Sequence, residues 1–372
     1  MRLVKEPQLP AFRIRLRSLW FSVHKWIGLL LAVLIVPISL SGSALVWHDA
    51  LDAALNPERE ARSGSPGLPL DAYLASARRG LDPHDRIASI ALPEDEGAVI
   101  VVGARAPNGG GGRPVRTTLW LDPADGRVLD KAGGNEGLVR MLHVLHGSLM
   151  VPGVGRQIVG WVGVFMLISS LTGLWLWWPT LGGLRRGLRW RRQDTANANL
   201  HHTTGFWIAL PLALLSFTGV WISFPGIFGG NAPAPAAAKA PRPSGPPLPL
   251  AETRLDPTTA GAIAVARGGG RPATIAWPTS QSPQWTVTLR GADGPSEYKL
   301  DDSTAEARPQ PPRPETTARK MRRWHDGDGM GIVWQILIFL GGIGPAVLAV
   351  TGIVMWLRTR RWRGDAGKRK GA

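Results

Sequence analysis

The 372-residue sequence contains no cysteine, which excludes disulfide bonds, thiolate-bound zinc, iron–sulfur clusters and a cysteine nucleophile. Charged side chains are also scarce, at 19% of the chain, whereas apolar residues make up 44%. Tyrosine (2) and phenylalanine (8) are together outnumbered by tryptophan (17). The net charge is +16. In a soluble protein such a charge would indicate a nucleic-acid or other anionic partner, so where the basic residues lie in the sequence decides whether that explanation applies here.

Four long stretches of the sequence contain no Asp, Glu, Lys or Arg: 26–47, 158–178, 203–230 and 330–357. The hydrocarbon core of a bilayer is about 30 Å thick and is crossed by about 20 apolar residues in a helix. Each of the four stretches reaches that length, and core helices of soluble proteins rarely run so far without a charge. The stretches therefore predict four transmembrane helices.

Basic residues are concentrated next to the predicted helices. The N-terminal tail, the loop between the second and third helices and the C-terminal tail together hold 17 Lys or Arg against 3 Asp or Glu. Positive charge marks the cytoplasmic side of a membrane protein, so these three parts are predicted to be cytoplasmic and the two long intervening segments external. Topology accounts for the basic runs, and no nucleic-acid partner is expected.

The four predicted helices repeat one another in pairs. The first and third helices share one spacing, from a histidine to a glycine one turn later and to a second glycine near the other end: His24, Gly28 and Gly42, and His201, Gly205 and Gly219. The second and fourth share another, from a histidine to a distant glycine and tryptophan: His146, Gly173 and Trp177, and His325, Gly352 and Trp356. The chain is therefore predicted to be a duplication, with its halves related by an axis along the membrane normal.

The predicted fold is an all-α membrane four-helix bundle with two external α+β domains. In each external segment, a short helix at 70–79 or 258–266 precedes strand-like runs of alternating apolar residues. Stretches rich in Pro, Ala and Gly at 232–249 and 307–314 are expected to be linkers, and 108–112 is expected to be a flexible hairpin tip.

These features set the predicted boundaries, with duplicated halves at about 18–180 and 195–358. The parts in chain order are a basic cytoplasmic tail (1–23), the first helix (24–48), the first external domain (49–142), the second helix with its external lead-in (143–179), a basic cytoplasmic loop (180–200), the third helix (201–228), the second external domain with its linkers (229–324), the fourth helix (325–357) and a basic cytoplasmic tail (358–372).

The histidines indicate a cofactor, because seven of the eight cluster at the ends of the predicted helices. Two histidines from different helices, at one level of a four-helix bundle, can bind a haem through both axial positions. The repeat predicts two such sites, one at His24 and His201 on the cytoplasmic side and one at His146 and His325 on the external side. Zinc is disfavoured, because two histidines supply half of a tetrahedral ligand set.

Glycines accompany these histidines in the sequence. Gly28 and Gly205 each lie one turn after a histidine and are expected to let a flat macrocycle approach the backbone. Four more glycines follow Ser or Thr, and helix packing is their favoured role: Gly42, Gly173, Gly219 and Gly352. The stretch from histidine to the later glycine spans ~27 Å of helix at ~1.5 Å per residue, so the two sites are predicted at opposite ends of the bundle.

Several runs resemble the PepSY-associated transmembrane-helix family of bacterial inner-membrane proteins, over almost the whole chain. They are H-K-W-I-G-L-L near the start, S-L-T-G-L-W-L-W-W-P ending the second helix, L-H-H-T-T-G-F-W and S-F-T-G-V in the third, and W-H-D-G-D-G-M-G before the fourth. The resemblance implies PepSY-like external domains and a location in the inner membrane, where the charge pattern places both termini in the cytoplasm.

This family includes ferric-siderophore reductases that carry haem b in the bundle. The resemblance implies an oxidoreductase with two haem b groups, noncovalently held, that takes electrons from a cytoplasmic reductase or quinol. It implies reduction of a periplasmic ferric siderophore with release of Fe(II). The recurrent histidines of the family match His24, His146, His201 and His325, with secondary candidates at His48, His143 and His202.

Two other function classes stay open. PepSY domains are also associated with the regulation of peptidases, which would make the chain a membrane regulator of a peptidase or signalling partner without redox activity. The duplication also fits a transporter, although four helices are few and no predicted span holds a charge that would bind an ion.

Four basic residues precede the last helix on the predicted external side, against the general charge bias: Arg319, Lys320, Arg322 and Arg323. Two roles are open for them. They either contact lipid headgroups or guide an anionic iron chelate or a haem propionate.

Overall fold

The computed structural model describes residues 11–60, 64–94, 96–107, 114–134, 136–178, 193–228, 247–312 and 314–370. The start of the N-terminal tail, most of the basic loop at 180–200, the predicted hairpin tip and most of the linker at 232–249 lie outside these residues. The chain divides into two compact units. The helical unit comprises Met1–His48, Met141–Ala232 and Glu315–Ala372, and the sheet unit comprises Asp49–Arg140 and Pro233–Pro314.

Helices account for most of the helical unit and for one face of the sheet unit. In the described residues they are α1 (Ala11–Leu45), α2 (His48–Leu55), α3 (Leu70–Gly80), α4 (Leu138–Ser148), α5 (Gly155–Trp177), α6 (Ala196–Ser223), α7 (Pro225–Phe228), α8 (Pro257–Gly268), α9 (Thr317–Asp326) and α10 (Ile332–Lys370).

Four of the described helices are long and apolar enough to cross a membrane. The candidate spans are Arg15–Leu45 in α1, the whole of α5, the whole of α6, and Ile332–Arg360 in α10. Each of them overlaps most of one charge-free stretch, so the predicted spans are confirmed as apolar helices of sufficient length.

The four long helices pack side by side in the helical unit. Helix α1 contacts α5 and α10, and α6 contacts the same two helices, so each half of the duplication packs against the other. The hydroxyl of Ser43 in α1 donates to the Phe339 carbonyl of α10 at 2.9 Å, which ties the first half to the last helix. Leu212 of α6 shares a buried apolar cluster with Ile35 and Met166.

Short breaks precede α5 and α10, and they separate each from the short helix before it. Between α4 and α5, Leu149 and Met150 take left-handed backbone conformations, with φ of 51° and 59°. Between α9 and α10, left-handed φ values occur at Gly327, Gly329 and Gly331. The histidine predicted to begin the fourth helix therefore lies on the separate helix α9, just as its counterpart in the other half lies on α4.

The sheet unit contains one eight-stranded antiparallel sheet in the order β4-β3-β2-β1-β5-β6-β7-β8. Its strands are β1 (Arg86–Ala91), β2 (Val99–Arg105), β3 (Val115–Leu121), β4 (Val128–Gly133), β5 (Arg271–Ala276), β6 (Gln284–Gly291), β7 (Gly294–Asp301) and β8 (Ala307–Gln310). The last strand occupies part of the stretch expected to be a linker at 307–314.

The two segments predicted as separate α+β domains share this sheet. Strand β1 from the first segment pairs with β5 from the second, and Ile90 faces Ile275 in the register. These isoleucines occupy equivalent positions in the two strands, so a local two-fold axis passes between them. The pairing satisfies the backbone groups of what would otherwise be an exposed edge on each half.

One face of the sheet carries the core of the unit. Helices α3 and α8 contact the strands and each other, and they cover a layer of buried residues. Trp285 is fully buried, and its indole N–H donates to the Asp302 carboxylate at 2.8 Å. Tyr73 of α3 and Leu119 of β3 belong to the same cluster.

Candidate functional site

Four histidines of the helical unit meet in two pairs. The first histidine pair is His24 of α1 and His201 of α6, with ring centroids 6.5 Å apart. The second histidine pair is His146 of α4 and His325 of α9, with ring centroids 5.9 Å apart. Each pair takes one histidine from each half of the duplication, which is the pairing that the repeated spacing predicts.

One ring of each pair is held through Nδ1 by a backbone carbonyl of a neighbouring helix. Nδ1 of His24 donates to the Ser169 carbonyl of α5 at 3.0 Å. Nδ1 of His146 donates to the Ile38 carbonyl of α1 at 2.8 Å. A carbonyl oxygen only accepts a hydrogen bond, so both rings carry their proton on Nδ1.

Threonine hydroxyls hold the other two rings. Nδ1 of His201 lies 2.8 Å from the Thr351 hydroxyl, and Nδ1 of His325 lies 2.9 Å from the Thr218 hydroxyl. Each of these hydroxyls also donates its one proton to a carbonyl of the preceding turn in its own helix. The hydroxyls therefore accept from Nδ1–H, which leaves the lone pair of all four histidines on Nε2, the arrangement found in metal-bound histidines.

A glycine lies against each of the four rings. A Cβ atom added to these glycines would meet histidine Cε1 at 2.6 Å for Gly42 and His146, 3.0 Å for Gly173 and His24, 3.2 Å for Gly219 and His325, and 3.5 Å for Gly352 and His201. Glycine thus allows the imidazole to lie directly on the backbone of the partner helix. The preceding Ser or Thr is buried at all four positions.

The observed contacts of these four glycines do not match the helix-packing role that the sequence predicts for them. Helix packing is the expected role of the glycines that follow Ser or Thr, whereas the structure places histidine rings on them. Gly28 borders open space, because a Cβ there would meet no atom within 4 Å. Gly205 would meet only Leu348, at 3.7 Å. The space expected beside Gly28 is therefore present, while the positioning of the rings depends on the other four glycines.

Burial keeps the second histidine pair neutral. Burial lowers the pKa of His325 to about 3, and the nearby charges of His146 and Arg322 act in the same direction. Burial also lowers the pKa of His146, against the effect of its bond to Ile38. Both imidazoles are uncharged at neutral pH, which is the form that binds a metal. Burial raises the pKa of the adjacent Asp326.

The spacing of both pairs fits a metal held between two imidazoles. A metal about 2.0 Å from one nitrogen of each ring places facing ring centroids roughly 6 Å apart. In the described residues, no group of three or more His, Asp or Glu side chains is arranged to hold a metal ion. Two imidazoles from different helices are a donor set that could hold the iron of a haem.

The secondary histidine candidates lie outside these pairs. The rings of His48 and His143 contact each other, with centroids 5.9 Å apart. His202 lies beside His201, with ring centroids 6.2 Å apart. His143 precedes His146 by one turn on α4.

The four basic residues expected to contact headgroups or guide an anion lie on α9, and their side chains are exposed. Two of them have acidic partners, since Arg323 lies 3.3 Å from Glu315 and Arg322 lies 3.9 Å from Asp326. Lys320 lies over the Trp324 ring at 5.3 Å. The helix presents a basic face beside the second histidine pair, since His325 belongs to the same helix.

Sequence reasoning missed the role of the glycine and hydroxyl positions, although a signal for it exists. The spacing that indicates the duplication runs from each histidine to the glycine of a Ser/Thr-Gly step within the same predicted helix. The contact runs instead from each histidine to the Ser/Thr-Gly step of a helix packed beside it. Only the packing of the helices shows which Ser/Thr-Gly dipeptide contacts which histidine ring.

Comparison with known families agrees with the resemblance seen in the sequence. The family described as the PepSY-associated TM region matches residues 21–359, which include all four paired histidines. No curated protein matches the chain. The chain therefore belongs to the PepSY-associated TM region family.

Proposed function

We propose that the chain is a di-haem b electron-transfer protein of the bacterial inner membrane that reduces ferric siderophores on the external side. The observation that carries the proposal is the pairing of four histidines at two levels, each with Nδ1 bonded and Nε2 left as the ligand atom. A haem held by two histidines would supply one-electron transfer and would leave no site on its iron open for oxygen chemistry.

The histidine pairs bind and orient the cofactors through contacts made before the cofactor arrives. The hydrogen bond at Nδ1 fixes the ring plane and the tautomer. The glycine beneath each ring sets how closely the imidazole approaches the backbone of the neighbouring helix. Such supporting contacts typically change metal affinity by about 10–100-fold. The ligands therefore need little rearrangement to bind.

The two levels are separated by nearly the thickness of a membrane. His24 and Gly42, against which His146 packs, both lie on the continuous helix α1. At ~1.5 Å per residue their separation along the helix is ~27 Å, against about 30 Å for the hydrocarbon core. Two cofactors at these levels divide the path across the bilayer into two steps.

The proposed orientation places both termini in the cytoplasm and the sheet unit outside. Alkaline phosphatase fused after the C-terminus is expected to be inactive, because it stays in the cytoplasm, whereas a green fluorescent protein fusion at the same position is fluorescent. Phosphatase inserted at 108–112 is expected to be active and serves as the matched control. An active C-terminal phosphatase would overturn the orientation.

The external substrate is proposed to be a ferric siderophore. Siderophores bind Fe(III) through hard oxygen ligands and hold Fe(II) less tightly, so reduction releases the iron. The exposed basic residues of α9 provide a positive surface on the helix that carries His325, and such a surface raises the encounter rate of an anionic chelate. Electrons come from a cytoplasmic reductase or from quinol.

Reoxidation by a ferric siderophore tests the activity. Purified protein reduced with dithionite is expected to reoxidise when a ferric siderophore is added, with one Fe(II) trapped by a chelator for each electron lost. His325→Ala is expected to abolish the reaction. The double variant Arg319→Gln/Lys320→Gln is expected to slow it severalfold at low salt for an anionic chelate, and added salt removes the difference.

Two controls complete this experiment. His84→Ala, which changes an exposed histidine of the sheet unit, is expected to react as the wild type does. Protein that carries both haems but stays reduced in the presence of hydroxamate and catecholate complexes would contradict the reductase proposal and favour a regulatory role.

A further inference from the structure

A third pair of histidines lies in the helical unit, and the proposed haem sites do not use it. His48 begins α2 and His143 lies on α4, and their ring centroids are 5.9 Å apart with the rings nearly perpendicular. We call these residues the exposed histidine pair. Their centroid separation equals that of the second histidine pair, and it is a separation that two imidazoles sharing one metal ion would show.

Exposure distinguishes this pair from the other two. His48 and His143 are both exposed, and both lie outside the candidate membrane spans. His24, His146, His201 and His325 are only partly accessible. An exposed pair suits an ion that exchanges with solution, whereas a haem needs apolar cover.

The tautomer of His48 is also suited to a metal. Nδ1 of His48 lies 3.2 Å from the Leu45 carbonyl, which only accepts, so the ring carries its proton on Nδ1 and its lone pair on Nε2. The same arrangement occurs at the four histidines of the other pairs. Which nitrogen binds a metal is set by the bond that the other nitrogen makes.

A carboxylate lies close to one ring of the pair. Asp326 interacts electrostatically with His143 and with His146. A divalent ion bound by the two imidazoles would complete its coordination sphere with water.

We propose that His48 and His143 bind a divalent first-row transition-metal cation next to the second histidine pair. Imidazole suits Fe(II), Ni(II), Cu(II) and Zn(II), and two protein ligands give a weak, exchangeable site. Resting on the proposed function, this site receives the Fe(II) that reduction of the siderophore complex releases. His143 lies one turn from His146 on α4, so the ion is bound beside the external cofactor.

The test uses the full-length protein in detergent, with its haem as isolated and with no polyhistidine tag. Calorimetric titration with Ni²⁺ alone is expected to show one site in the wild type. His48→Ala, His143→Ala and the double variant are each expected to raise the dissociation constant about tenfold or more. His84→Ala, which removes another exposed histidine, is expected to bind Ni²⁺ as the wild type does. Fe²⁺ added without oxygen is expected to compete with Ni²⁺.

Two results would overturn the proposal. One is Ni²⁺ binding by the double variant that equals that of the wild type. The other is loss of a haem from the double variant, which would make these residues haem ligands. An unchanged haem spectrum shows that the double variant is folded, and His48→Gln/His143→Gln provides a second variant of closer size.

Siderophore reduction and Ni²⁺ binding are measured in separate experiments, so failure of the reductase proposal can be distinguished from failure of the cation-site proposal. If siderophore reduction fails in the wild type while Ni²⁺ binding depends on His48 and His143, the cation site stands and its role with Fe(II) falls. If reduction proceeds while Ni²⁺ binding does not depend on these residues, the reductase stands and the cation site falls.

Discussion

Replacing His201 by alanine is expected to remove one of the two proposed haems and to leave the other, so that Soret absorbance per chain falls to about half. The first histidine pair loses one of its two axial ligands, whereas the second pair lies ~27 Å away along α1 and keeps all of its contacts. His24→Ala is expected to have the same effect. His325→Ala is expected to remove the haem at the other level.

A neighbouring histidine supplies the matched control. His202→Ala changes the same helix one residue further on, and its ring lies 6.2 Å from that of His201. Because the ring contact of His24 that defines the first histidine pair is with His201, this variant is expected to keep both proposed haems. The double variant His201→Ala/His325→Ala is expected to lose both.

Haem content per chain, measured as the pyridine haemochrome, checks these outcomes. Single variants that each keep two haems would contradict the ligand assignment. His143 is the first residue to test as a replacement for His146, since it lies one turn away on the same helix. Loss of both haems from every single variant would instead show that the two sites fold together.

The histidine pairs could be predicted from the sequence because the duplication repeats its own spacing. His24 and His201 occupy equivalent positions in two halves, and equivalent positions in a two-fold arrangement face each other across the axis. The four membrane spans could also be predicted from the sequence, because an apolar run of membrane length without a charge is rare in the core helices of soluble proteins. In both cases the signal is a linear spacing, which needs no knowledge of how the helices pack.

The shared sheet could not be predicted from the same kind of signal. Strands β1 and β5 are short, and their pairing joins Ile90 to Ile275 across a large part of the chain. Nothing in either strand distinguishes an edge from an inner position. The breaks before α5 and α10 were partly visible, because Gly327, Gly329 and Gly331 favour left-handed backbone, but Leu149 and Met150 give no such indication.

Replacing each of the four glycines that contact a histidine ring by alanine is expected to cause a graded loss of haem. Gly42→Ala places a methyl group 2.6 Å from Cε1 of His146, so the ring must leave the backbone and its bond to Ile38. Overpacking of this kind costs about 1–3 kcal/mol, and here it displaces a ligand. We expect loss of the haem at the second histidine pair and retention of the other.

Gly352→Ala marks the mild end of the series. The added methyl group would lie 3.5 Å from Cε1 of His201, an ordinary contact, and alanine favours a helix over glycine by about 1 kcal/mol. This variant is expected to keep both haems and to melt at the same or a higher temperature. Gly173→Ala and Gly219→Ala, at 3.0 and 3.2 Å, are expected to lie between the extremes.

Gly160→Ala separates the effect on the ligand from a general effect on packing. Its added methyl group would lie 2.6 Å from the Phe224 ring, as close as that of Gly42→Ala lies to His146, but no histidine is involved. It is expected to lower the melting temperature while both haems stay bound. Equal haem loss from the Gly42, Gly160 and Gly352 variants would show that the glycines serve helix packing. A loss that follows the distance to the imidazole would show that they position the ligands.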